Sequence, residues 1–339
     1  MNDPLRTVGV VGAGSWGTAL AALLAKKGHR VSIWAREPEV VKDIQEIHEN
    51  RTFLPGARLP RSLEASTRLQ DVVAEKDVVL SVVPSQFVSS VFGGVAEALH
   101  PETQLVSASK GIEVSTGKRM DEVLSGFLTS EQSHRLTFLS GPSFAKEVAE
   151  EQPTAVVVAS RSDRAAEVAQ AAFQTEYFRV YTNPDVLGVE LGGALKNVIA
   201  LAAGAVAGLG FGQNTLAALI TRGLAEITRL GVAMGADPAT FSGLAGMGDL
   251  VLTCTGALSR NRTVGYRLGR GETLQEILAD MRGVAEGVKT VQAVRELARA
   301  VQVEMPISEQ VHALLWEGRA PAEAVRNLML RQPRPEVWS

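Results

Sequence analysis

Apolar residues fall in two successive patterns along the chain. Up to about residue 183 they form short unbroken runs, at 7–11, 31–34, 77–83, 104–107, 136–139, 153–159 and 178–182. Runs this short, bounded by glycine, proline or small polar residues, mark strands buried on both faces. The stretches at 18–27, 39–48, 87–99, 118–128 and 163–173 carry helical periodicity instead. Strands alternating with helices predict a doubly wound α/β sheet of the Rossmann type.

After Asn183-Pro184 the strand-like runs stop and helix is predicted nearly throughout, at 185–209, 214–234, 238–244, 261–268, 273–279, 288–301, 306–316 and 321–329. The change divides the chain into a dinucleotide-binding half, 1–187, and an all-α substrate and catalytic half, 188–330. A Pro-rich tail, 331–339, is expected to be poorly ordered. A ligand is expected in the cleft between the halves. From Asn197 to Thr221 there is no charged side chain. That length suits a membrane span, but the run is rich in Ala and Gly and is broken at Gly210-Phe211-Gly212. We read it as two closely packed buried helices, with no stable membrane insertion.

Composition narrows the picture. With 45% hydrophobic and 21% charged residues, the chain has the balance of a soluble globular protein. With a net charge of −3, nothing about the chain as a whole points to nucleic acid or to an acidic membrane surface. One cysteine, Cys254, excludes an internal disulfide framework and fits a reducing compartment. The five histidines are scattered without metal-ligand spacing, so no metal site is expected.

The chemistry-bearing residues cluster at predicted strand ends. The first strand runs into Gly12-Ala13-Gly14-Ser15-Trp16-Gly17, then a helix, then a second strand. This is the context in which a GxGxxG turn binds a dinucleotide. Gly12 permits the turn, Gly14 lets backbone approach a pyrophosphate, and Gly17 lets helix pack on strand. Arg36, at the end of the second strand, favours NADP(H) over NAD(H), since arginine accommodates a 2′-phosphate; Glu37 next to it pulls the other way. Lys110 and Gly141-Pro142-Ser143 follow later strand ends, the edge where ligands bind. Ser143 could alternatively cap the following helix.

Gly193, Lys196 and Asn197 share one helical face. Lys196 is the last charge before the charge-free run, and desolvation there lowers its pKa toward the range of acid–base work. Asp249 lies in what reads as a glycine-rich turn and could accept hydrogen bonds from substrate hydroxyls. Ser259-Arg260-Asn261-Arg262 reads as a helix start, either simply capped by serine or built to hold a phosphate. Val284-Ala285-Glu286-Gly287 is a further small-residue turn. Cys254, in an apolar stretch, reads as packing.

With these residues assembled, the chain resembles the bacterial, soluble NAD(P)-dependent glycerol-3-phosphate dehydrogenases. GAGSWGTALA, WAR, SASKGIE, SGPSFAKEV, ELGGALKNVIA, GLAGMGDLVLTCTG, SRNR and VAEG follow one another in that family's order, across about residues 7–330. The resemblance implies reversible hydride transfer between NAD(P)H and dihydroxyacetone phosphate, giving sn-glycerol 3-phosphate for phospholipid synthesis. It implies Lys196 as proton donor and acceptor. It further implies substrate contacts from Lys110, Gly141, Ser143, Asp249, Ser259, Arg260 and Asn261. Cofactor contacts are implied for Ser15, Trp16, Arg36, Lys110, Ala145, Arg260, Val284 and Glu286, beside the fingerprint glycines. A cytoplasmic homodimer is implied as well.

Overall fold

The computed structural model describes residues 4–281, 283–333 and 335–336. Its seven apolar runs and one further edge strand form an eight-stranded sheet. The strands are β1 (Thr7–Val11), β2 (Arg30–Trp34), β3 (Glu64–Ser66), β4 (Val78–Ser81), β5 (Gln104–Ser107), β6 (Thr137–Ser140), β7 (Thr154–Ser160) and β8 (Phe178–Asn183). They lie in the order β8-β7-β6-β5-β4-β1-β2-β3. Every neighbouring pair is parallel except the antiparallel β6 and β7. The chain moves outward from β1 through β2 to β3, then returns to β4 on β1's other side. The carboxyl ends of β1 and β4 therefore flank the switch point where such sheets bind ligands.

The structure departs from the sequence reading in several places. β3, a small hairpin at Glu49–Asn50 and Leu54–Arg58, and the short helix Leu69–Val73 were not predicted. In β3 only Ala65 is buried, so this edge strand carries no apolar run. The helix expected over 87–99 contracts to Val88–Phe92, with single 3₁₀ turns at Ser85–Phe87 and Ala96–Ala98. Gly93-Gly94 interrupts it, as glycine weakens helix interiors. The helix expected over 118–128 contracts to Met120–Ser125.

The helical half is wrapped around one helix, Val186–Gly208. By length and hydropathy it could cross a membrane, but 89% of its apolar window is buried inside the protein. The expected boundary at 187/188 falls in its first turn. Helices Arg260–Gly269, Gln213–Ala233, Asp249–Thr255 and Glu286–Ala300 pack on it. The closest crossing is made by glycines. A Cβ on Gly204 would lie 2.0 Å from the Arg262 carbonyl oxygen, and one on Gly265 would lie 1.9 Å from that of Leu201. The charge-free run is thus two helices joined at 209–212, of which only the first is core, with its backbone against that of Arg260–Gly269 where glycine allows it. Residues 211–218 are exposed or half-exposed, which corrects the expected pair of buried helices. Of the tail, residue 334 and residues 337–339 lie outside the described residues. Within the described part, Arg331 pairs with Glu304 and the Glu336 carbonyl accepts from Arg222.

One buried carboxyl ties the outer helices together. Glu226, 2% exposed, accepts hydrogen bonds from the backbone N–H groups of Ile307 (2.5 Å) and Ser308 (3.3 Å) at the start of the Pro306–Trp316 helix. Burial pushes its pKa up to about 7, although those hydrogen bonds pull it down. A raised folded pKa gives stability that is fully present below the unfolded value near 4.5 and is lost as pH rises through about 7. The loss amounts to about 3 kcal/mol. Glu226→Gln is expected to flatten it: between pH 5 and pH 8 the urea midpoint of the wild type should fall further than the variant's.

Candidate active site

The fingerprint turn has the geometry its residues require. Gly12 sits at φ +115°, and a Cβ there would lie 2.9 Å from the Val82 carbonyl oxygen. A Cβ on Gly17 would meet the Gly12 carbonyl oxygen at 1.9 Å, so only glycine lets the Ser15–Lys26 helix close onto β1. Above Gly14 there is nothing within 4 Å, and no side chain caps this helix. Open space over uncapped N–H groups at a helix N-terminus fits a pyrophosphate. Ser15 turns its hydroxyl to the Phe53 carbonyl (2.5 Å), while Trp16 packs against the sheet core. The short helix that begins at Ala145 packs on the same fingerprint helix. Arg36 stands 80% exposed at the end of β2, paired with Glu37 at 2.9 Å.

Asn50 was missed by the sequence reading. It is fully buried, donates to the Ala13 carbonyl (2.9 Å) and to Thr18 Oγ1 (2.8 Å), and so holds the fingerprint turn from the unpredicted hairpin. A lone asparagine between two charged residues carries no periodic signal.

At the other strand ends two lysines meet one carboxylate. Lys110, just after β5, donates to Asp249 Oδ2 at 2.8 Å and to the Gly141 carbonyl at 3.3 Å. Lys196 contacts Asp249 Oδ1 from the opposite side. The side chains of Lys196 and Asp249 are 8% and 2% exposed. Gly193, one turn before Lys196, makes room for this arrangement. A Cβ there would lie 2.8 Å from Ser140 Oγ and 3.7 Å from the Lys110 stem.

Asp249 is not in a turn. A single π-helical turn, Leu244–Gly248, leads directly into the helix Asp249–Thr255, which corrects the predicted glycine-rich turn. The glycines serve packing instead: a Cβ on Gly246 would lie 2.1 Å from the Phe241 carbonyl oxygen. Both carboxylate oxygens face lysines. Thr253 supports the residue by donating to its carbonyl at 2.6 Å.

The electrostatics follow from burial and pairing. Desolvation lowers the Lys196 pKa to about 8; Asp249 pulls it up, and the Lys110 charge pushes it down. Burial would raise Asp249, but Lys110 and Lys196 together hold it below the usual carboxylate range. Cys254 is fully buried and burial drives its thiol up to about 12, so it packs rather than reacts.

A second cluster adjoins the first. Asn197 Oδ1 accepts from Asn261 Nδ2 at 2.9 Å, and Asn261 Oδ1 accepts from the Gly287 N–H at 3.0 Å. Glu286 accepts from the Ser85 N–H at 3.1 Å, which joins the helical half to the end of β4. Arg260 is exposed, and its guanidinium lies against the 283–286 turn: a Cβ on Gly283 would be 2.9 Å from it. Val284 in that turn is 36% exposed. Ser259 caps the Arg260–Gly269 helix by accepting from Arg262 N at 3.2 Å. Ser143 does not cap its helix; its hydroxyl donates to the Gly141 carbonyl at 3.0 Å, beside Lys110. Six separate stretches of chain, around 110, 141–143, 193–197, 249–253, 259–262 and 283–287, thus converge.

A buried lysine with its pKa lowered to about 8, in a chain that also carries a dinucleotide turn, is the equipment of a dehydrogenase that moves hydride and proton together. Comparison with known proteins specifies which kind. Residues 7–166 match the family model described as NAD-dependent glycerol-3-phosphate dehydrogenase N-terminus, and residues 185–326 match its C-terminus. The chain belongs to the NAD-dependent glycerol-3-phosphate dehydrogenase family. The glycerol-3-phosphate dehydrogenase [NAD(P)+] of Geobacter metallireducens is 57% identical, over 97% of this chain and 98% of that one. Its counterpart in Leptospira biflexa is 51% identical, over 97% and 99%. The solved glycerol-3-phosphate dehydrogenase of Coxiella burnetii superposes with a TM-score of 0.91 at 38% identity, over 96% of this chain and 99% of that one. The stretch between the two family-model segments, 167–184, holds β8 and leads into the lysine-bearing helix. The site lies where the family's two segments meet.

Proposed function

We infer that the chain transfers hydride reversibly between NAD(P)H and dihydroxyacetone phosphate, forming sn-glycerol 3-phosphate, with Lys196 as the proton donor and acceptor. The observation that carries this reading is the buried Lys196–Asp249–Lys110 cluster, with its lysine pKa near 8. The open space over Gly14 and the uncapped helix beneath it fit a dinucleotide, which supplies the hydride when bound. Gly12, Gly14, Ser15, Trp16 and Gly17 would hold its pyrophosphate end, with Arg36, Ala145, Val284 and Glu286 around the rest.

As the ketone carbon is reduced, negative charge grows on its oxygen. Lys196, as an ammonium, stabilises that charge and gives up its proton; in the reverse direction the neutral amine accepts it. Asp249 aims Lys196 and keeps it charged near neutral pH. Lys110, fixed to the same carboxylate and to Gly141, adds a second positive charge at the carbonyl. Arg260, at the N-terminus of its helix, is the anchor for the phosphate, which positions the reacting end without taking part in the chemistry. Asn261 and Asn197 hold that helix to the lysine-bearing one. Ser143 supports the wall beside Gly141.

This reading includes a preference for NADP(H) over NAD(H), supported by Arg36. It also includes a cytoplasmic homodimer serving phospholipid synthesis, supported by the family resemblance. Assaying the purified chain for dihydroxyacetone phosphate reduction with NADPH and with NADH tests it. Oxidation of 3-hydroxyisobutyrate or 6-phosphogluconate, without activity on glycerol 3-phosphate, would overturn it. Arg36→Ala is expected to raise KM for NADPH roughly tenfold, the value of one charge-assisted hydrogen bond. KM for NADH should change less; equal changes would mean Arg36 does not read the 2′-phosphate.

A further inference from the structure

A buried acid pair outside the catalytic cluster joins the two halves of the chain. Glu190 lies on the Val186–Gly208 helix, one turn before Gly193. Its side chain is 8% exposed, and its Oε1 accepts from the Asp121 backbone N–H at 3.0 Å. Asp121, 3% exposed, belongs to the Met120–Ser125 helix of the other half. Asp121 Oδ1 and Glu190 Oε2 are buried without a hydrogen-bond partner, and both face Arg119 Nε, at 3.1 and 3.9 Å. Two carboxyl groups buried this close disfavour double ionisation, so one of them carries a proton.

The surrounding charges say which. Arg119 lies 3.1 Å from Asp121 Oδ1 and 3.3 Å from Glu122; Arg161 lies 2.6 Å from Asp121 Oδ2. Glu190 Oε2 is 3.9 Å from Arg119. Two guanidinium groups already face two carboxylates, Asp121 and Glu122, so neutrality is reached with Glu190 uncharged. Burial and the Asp121 charge push Glu190 well above the usual carboxylate range. Burial would raise Asp121 too, but Arg119 and the hydrogen bond from Arg161 hold it low. On its other side Glu190 borders a small cavity that is also lined by Ser107, Lys110, Ser140 and Gly193. Lys110 is the charged group on that side.

We propose that Glu190 is a positioning residue: by sharing a proton with Asp121, it holds the start of the lysine-bearing helix in register with Lys110 and the end of β6. The proposal rests on the dehydrogenase reading. The proton stays on Glu190 and is not consumed in the reaction. Its role is to make a hydrogen bond that an ionised Glu190 would turn into a repulsion between two buried carboxylates. The joint is placed to matter because Gly193 and Lys196 follow on the same rigid helix.

The test compares Glu190→Gln with Glu190→Ala. Glutamine keeps an acceptor for the Asp121 N–H and offers an N–H in place of the acid proton. At pH 7 Glu190→Gln is expected to keep kcat within about twofold, while Glu190→Ala loses about tenfold, since small misplacements of reacting groups are costly. KM for NAD(P)H should not move in either variant. Glu190→Gln should also gain stability relative to the wild type as pH rises from about 5 to 9, measured by urea denaturation, because only the wild-type residue can ionise. Two kinetic results would overturn the proposal: Glu190→Gln as impaired as Glu190→Ala, or Glu190→Ala with wild-type kcat. If Glu190→Ala does not fold, the stability series decides, and a pH-independent difference between Glu190→Gln and the wild type overturns it. Failure of the dehydrogenase reading is distinct, because the wild type itself would then show no turnover.

Discussion

Lys196→Ala is expected to lower kcat for dihydroxyacetone phosphate reduction by about 10²–10⁴-fold, the usual contribution of a positioned acid–base group. On the proposed reading the ammonium would supply both the proton and charge that stabilises the developing alkoxide, with Lys110, bonded to Asp249 and to the Gly141 carbonyl, adding a second charge. Cofactor affinity should hold within about twofold, because the fingerprint turn is built from other residues. Near-normal turnover would remove Lys196 from the mechanism. The wild-type enzyme provides a companion signature. With Lys196 titrating at about 8, reduction needs the protonated form and should decline as pH rises through that value. Oxidation of glycerol 3-phosphate needs the neutral amine and should rise over the same interval. Parallel profiles in the two directions would contradict the assignment.

Asp249→Asn carries the second large effect. The carboxylate is 1% exposed and faces an ammonium on each oxygen. Asparagine keeps the shape but removes the charge, leaving two like charges together in a dry site. Asp249 is the group that pulls the Lys196 pKa up, whereas desolvation and Lys110 both push it down. Without it, Lys196 should be largely neutral at pH 7 and unable to donate. The expected loss in kcat for reduction is about 10²-fold, with the alkaline decline moving to lower pH by a unit or more. Removing one partner of a buried charge pair should also cost about 3–5 kcal/mol of stability, seen as a lower urea midpoint. A variant with wild-type kcat and an unshifted profile would show that the carboxylate does not set the charge of Lys196.

Much of the fold was legible because its signals are local. β1 and β5 were read to the residue, and so were the 306–316 and 321–329 helices. Each is a short apolar run or a periodic helix with clear ends. The misses lie where tertiary contacts override weak local pattern. β3 exists because β2 offers it an edge, and the Asp249–Thr255 helix continues out of a π turn whose glycines resemble a loop in sequence.

What the sequence alone determined was the inventory: a dinucleotide turn in its strand–helix–strand setting, a lysine bordering a charge-free run, and family motifs in order. It could not say that Lys110 and Lys196, 86 positions apart by their numbers, close on the two oxygens of Asp249. Nor did it show Asn50 under the fingerprint turn or Glu190 against Asp121. Those pairings join different elements across the molecule. They arise when the sheet order brings the ends of β5 and β6 beside one helix, and the long-range electrostatics of a dry site exist only once that packing excludes water. Motif and periodicity are written residue by residue, whereas a pKa near 8 belongs to the assembled site.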